Sequence, residues 1–144
     1  MGMAHISFAD GDMHTMGQMV HNEMTGHSEN DGRISLGLSP QRKKHQLANM
    51  RSHVEAIQTI IGLIGDGNFT TASDIAHSKL GLTEEMEKMC SMFNNQHFRE
   101  LGFKFHKSAD DLAEVLKTKD LKKSLHALHT TMGYCVQCHA TFRQ

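Results

Sequence analysis

The chain reads as all-α, an antiparallel four-helix bundle preceded by an irregular arm over residues 1–38, and three observations lead there. Apolar residues recur at alternating intervals of three and four through most of residues 39–144, the period of a helix face rather than of a strand. The only proline, Pro40, stands at the head of the first such run. Short polar connections separate the runs, as they do between antiparallel neighbours in a bundle. A length of 144 residues suits one ordinary domain and one continuous core.

Residues 1–38 hold polar turns (Asp10-Gly11, Thr25-Gly26, Asp31-Gly32) around a Met/His-rich stretch and no sustained apolar stripe, so they read as an arm with one short helix over 12–24. Ser39-Pro40 then offers an N-cap followed by proline at the first helical position, where its missing N–H does no harm. The helix that starts there carries Leu47, Met50, Val54, Ile57, Ile61 and Ile64 as a single inward stripe, and Gly65-Asp66-Gly67 stops it. At ~37 Å for about 25 residues it is a bundle rod. A shorter helix from Thr70 to Leu80 turns Ala72, Ile75, Ala76 and Leu80 inward, with Gly81 as its breaker.

Thr83 caps a third stretch with Met86, Met89, Cys90 and Phe93, which Asn94-Asn95 interrupts or kinks before Phe98, Leu101, Phe105, Ala109, Leu112 and Val115 continue to about Lys117. The last helix presents Leu121, Leu125, Leu128, Met132, Cys135, His139 and Phe142 as its core-facing line.

Charge and composition exclude several functions. Fifteen Lys and Arg stand against 16 Asp and Glu, so no basic field points to nucleic acid. No apolar run reaches the roughly 20 residues of a membrane span, and Met1 to Asp10 lacks the pattern of a leader peptide. No Ser/His/Asp set, phosphate-cradling glycine loop or acid-base carboxylate pair stands out.

The chemistry concentrates in Cys135-Val-Gln-Cys138-His139. Two thiols separated by two residues can add to the two vinyl groups of one haem, and the adjoining imidazole can meet its iron. A zinc half-site would need a second Cys pair, and the third cysteine, Cys90, stands alone. The motif therefore predicts one covalent haem c, held by Cys135 and Cys138, with His139 as proximal ligand. Tyr134 and Phe142 are placed to pack near the ring.

Cys135-Val-Gln-Cys138-His139-Ala-Thr-Phe-Arg143, near the end of a fourth helix, resembles the cytochrome c-prime family over residues 40–144. The resemblance implies Arg143 beside the proximal imidazole and Met50, Arg51 and Val54 over the distal face, with Arg51 also in reach of a propionate. It implies an iron that binds small diatomic gases such as NO or CO, dimers built from the first two helices with either an identical or a different partner, and an exported, periplasm-like compartment reached after leader removal. In typical members an apolar residue covers the distal face. This chain departs from them in having Cys90, and is similar in that respect to the small His/Cys-ligated cytochromes of anaerobic ammonium-oxidising bacteria.

A Cys90 thiolate opposite His139 would hold the reduction potential low, whereas a thioether would raise it. Met86, Met89, Met92, Met50, His53 and His97 compete with it for the sixth position. Three activities follow, in order of preference: a redox and gas-binding cytochrome exchanging electrons with a partner protein, a simple electron carrier with a Met ligand, and a haem enzyme acting on a small nitrogen compound. Outside the haem motif, Met13, His14, Met16, Met19, His21 and Met24 form a ligand set suited to copper, or an adaptable contact surface. His126 and His129 flank the last helix and read as solvated.

Overall fold

Each helix starts where a short polar side chain captures a backbone N–H that has no partner within the helix. The computed structural model describes residues 31–144. In it, Ser39 Oγ accepts from Arg42 N at 3.4 Å to open α1 (Pro40–Gly65), with Pro40 in its first turn. Asn68 opens α2 (Phe69–Ile75), which widens into a π-helical turn over Ala76–Leu80. Thr83 caps α3 (Glu84–Ser91), Asn95 caps α4 (Gln96–Lys117) and Asp120 caps α5 (Leu121–Thr141). Two short strands, β1 (Ile34–Ser35) and β2 (Phe142–Arg143), pair in parallel. The chain is thus mostly helical, and among the described residues no helix is long and apolar enough to cross a membrane.

α4 is the hub. Its Leu101, Phe105, Ala109, Leu112, Ala113 and Leu116 are all buried, and it packs on α2, on the π turn, on α3 and most extensively on α5. α1 brings Ala56, Ile57, Ile60 and Ile64 to the same core, the second helix and its π turn bring Ala72, Ala76 and Leu80, and α5 brings Leu128. Ile60, Leu80, Leu112 and Leu116 are completely enclosed, and each contributes about 1.5–3 kcal/mol through burial. Hydroxyls seal the close approaches: Ser73 donates to the Ala113 carbonyl at 2.8 Å and Thr131 to the Ser108 carbonyl at 3.1 Å.

The expected third stretch divides in two. Asn95 ends the kink by capping a new helix through Phe98 N at 2.9 Å, and the Arg99 guanidinium binds the Phe93 and Asn94 carbonyls. The compact unit also begins at Arg33 rather than at Ser39, because β1 pairs with the C-terminal strand. The copper-type segment Met13–Met24 and the short helix expected over 12–24 lie outside the described residues.

Two inward stripes require correction. On α1 the buried side chains are Gln46, His53, Ala56, Ile57, Ile60 and Ile64, while Leu47, Val54 and Ile61 are 37%, 67% and 49% exposed. On α5 Ser124, Leu128 and Thr131 are buried, and Leu121, Leu125, Met132 and His139 are exposed. α1 buries Ile57, Ile60 and Ile64 as well as Gln46 and His53, α5 buries a mostly small and polar face, and both leave much of the expected apolar line on one flank.

Candidate functional site

The Cys-x-x-Cys-His motif occupies the last two turns of α5, and the elements around it fix that helix end. Ile34 pairs with Phe142 and Ser35 with Arg143, and Leu36 N donates to the Arg143 carbonyl at 3.0 Å. Arg33 Nη1 donates to the His139 carbonyl at 3.1 Å, satisfying one of the acceptors that a helix C-terminus leaves open. β1 ends five residues before α1 begins and β2 follows α5 directly, so their pairing ties the segment that leads into α1 to the end of α5.

Cys135 and Cys138 are half-buried free thiols, with Cys135 packed against the core. Burial raises both thiols above the ordinary range. Cys138 is pushed up to about 11, first by desolvation and then by the neighbouring Cys135. Neither is a thiolate poised for redox exchange at neutral pH. His139 stands exposed on the same helix. Phe142 is buried and touches His97 and Phe98, with ring centroids 5.7 and 5.3 Å away, and Phe98 meets Phe93 at 4.6 Å. Tyr134 lies half-buried against the core, and Arg143 is exposed at the strand pair.

A row of aromatic rings therefore runs from the motif helix, across the start of α4, to the segment just after Cys90. Cys90 is half-buried and faces α4, where a Cβ on Gly102 would lie 3.1 Å from its sulfur. Burial raises its thiol as well. The structure thus gathers Cys135, Cys138, Phe142 and Arg143 with His139 at the end of α5, and sets Cys90, on α3, against α4, the helix against which α5 also packs.

The residues expected over a distal face divide by their position around α1. Successive residues advance about 100° around a helix. His45 and Asn49 point to α3, where His45 Nε2 lies 3.3 Å and Asn49 Nδ2 3.7 Å from Met89 Sδ. Leu47, Val54 and Ile61, with half-buried Met50 between them, occupy the opposite flank, and Arg51 is exposed beyond it. On α5, Thr131 points to α4, and Leu125, Met132 and Val136 (69% exposed) occupy the flank away from it. Each helix thus keeps an apolar flank that its packed neighbour does not cover.

The competing ligands are dispersed. Met89 is turned to His45, Met92 is 56% exposed, and His97 is against Phe142. His53 is buried, with its ring centroid 5.1 Å from Phe105 and 5.5 Å from His106. Desolvation, then the charge of His106, lowers its pKa to about 4. His106 is also lowered by burial, against the opposing pull of its hydrogen bond to the Leu80 carbonyl at 2.7 Å. The rings of His126 and His129 stack at 6.4 Å on the exposed side of α5.

Sequence reasoning missed Arg33, the buried imidazole pair and the His45–Met89 contact. Only the imidazole pair left a signal, because Gln46, His53 and Ile60 recur every seven residues, one position from the more apolar line of Leu47, Val54 and Ile61. Among the described residues no cluster of three or more His, Cys, Asp and Glu side chains is placed to hold a bare metal ion. Comparison with protein-family models, with curated proteins and with solved structures gives no match to this chain.

Proposed function

We propose that the chain is a c-type cytochrome in an antiparallel four-helix bundle, exchanging single electrons and binding NO or CO at a haem held by Cys135, Cys138 and His139. The observation that carries this reading is a complete attachment motif on one helix end, beside apolar side chains of the same helix, Met132 and Val136, that are exposed among the described residues. The donor set fits the group: two unpaired thiols at thioether spacing, one imidazole directly after them, and a hydrophobic setting for a large apolar ring.

The exposed apolar side chains nearest the motif on its own helix, Met132 and Val136, would lie against the ring. When bound, haem supplies one-electron redox chemistry and a coordination position for a diatomic gas. The remaining work belongs to the chain. Cys135 and Cys138 would hold the ring through thioethers, each S–H adding across one vinyl group, and His139 would offer its imidazole to the iron. Arg33 and the strand pair hold the helix end that carries all three. His53 and His106, both lowered by burial, remain neutral at pH 7, so they add no positive charge to the interior.

Cys90 is the distal ligand in this reading. Its half-burial against Gly102 of α4, a helix whose start also meets Phe142, supports it over Met89, whose sulfur is engaged by His45. The test compares electronic spectra and redox titrations of wild type and Cys90→Ala, with and without NO. The reading predicts a low-spin ferric spectrum and a low potential that Cys90→Ala abolishes, with NO uptake by the ferrous protein. An unchanged spectrum removes Cys90 from the iron, and failure of NO uptake removes the gas-binding role.

A further inference from the structure

The α1 flank that faces α3 carries a ligand set that the haem reading does not use. His45 in the second turn of α1 meets Met89 of α3 with Nε2 and Sδ 3.3 Å apart, and Asn49 directs its amide at the same sulfur at 3.7 Å. These two residues line a cavity of about 230 Å³ together with Met92, one helical turn after Met89, and with Gln41, Arg42 and Gln46. Gln46 is buried, whereas His45 is exposed, so the cavity opens to solvent on the imidazole side.

We propose that His45, Met89 and Met92 form a binding site for a soft monovalent metal ion, Cu(I) by preference. Thioethers and imidazole are the donors that select Cu(I) over hard cations, which take carboxylate, carbonyl and water oxygens. A separation of 3.3 Å matches the edge between two ligands of one ion, with metal–nitrogen and metal–sulfur bonds of about 2.0 to 2.3 Å. No carboxylate lines the cavity, and Arg42 on its wall opposes a divalent, strongly hydrated ion more than a monovalent one. The site faces away from the flank that carries Val54 and Ile61, so it stands whether or not the haem reading holds.

The test is anaerobic competition for Cu(I) against bicinchoninate, using the full ferrous chain, a Met89→Leu/Met92→Leu variant and a His45→Phe variant. Comparison with wild type cancels any Cu(I) taken by the N-terminal methionines and histidines or by Cys90, which all three proteins share. Wild type is expected to take up one equivalent more than either variant, with the haem spectrum the same in all three. Equal uptake by wild type and either variant overturns the proposal, as does a changed haem spectrum in the Leu variant, which would assign those thioethers to iron. His45 is exposed, so its replacement keeps the test valid if the double variant folds poorly.

Discussion

Residue chemistry at the motif is set by which thiols stay protonated and which imidazoles stay neutral. Burial raises the thiols of Cys135 and Cys138, so both are protonated at neutral pH. In Cys135→Ala/Cys138→Ala protein, acidified organic solvent should extract the pigment that wild type retains after denaturation, read by absorbance of the two phases. His53 gives a second prediction at this scale. Its folded pKa of about 4 lies below the ordinary value of 6.5, so the unfolded chain binds the proton more readily. The contribution is therefore complete above about pH 6.5, is lost as pH falls, and is gone below about 4, with a size on the order of 3 kcal/mol. Denaturant unfolding between pH 4 and 7 should show this slope, and His53→Leu should flatten it. An equal slope in the variant would assign the acid sensitivity elsewhere.

At the level of elements, the boundaries were legible and the faces were not. Ser39, Thr83 and the end at Lys117 were readable because caps act locally, through one side chain and a backbone N–H three residues away. The inward faces of α1 and α5 depend on which neighbour each meets, and apolar spacing alone placed Val54 inside where His53 is the buried residue. The π turn was equally hidden, since it is held from a distance. His106 binds the Leu80 carbonyl, and Asp110 accepts from His77 Nδ1 at 2.7 Å and from Leu82 N at 3.0 Å. Gly81 sits beneath that carboxylate, where an added Cβ would collide with Asp110 and with the His77 carbonyl. Gly81→Ala should therefore destabilise the protein by about 1–3 kcal/mol in chemical denaturation, an overpacking cost at a position without positive φ. A neutral result would mean that the Asp110 clamp moves aside freely.

Across the described residues, α4 gathers the core, while α1 and α5 keep exposed apolar flanks. A haem held by two thioethers stays on the unfolded chain, so it stabilises the fold through the apolar contact and iron ligation made only in the native state. Haem-loaded protein should consequently unfold at a higher urea midpoint than protein made without haem, with circular dichroism as the readout. The same midpoint for both would show that those flanks serve another purpose. The exposed flanks were only half legible in the sequence: the apolar residues were evident, but their lack of a neighbour emerges only once α1 and α5 are both placed against α4. The most direct measurement is the intact mass of denatured protein, expressed with the machinery that matures c-type cytochromes. A mass equal to the chain plus one haem, lost in the double cysteine variant, is the predicted result; the bare chain mass under the same conditions would contradict covalent attachment at Cys135 and Cys138.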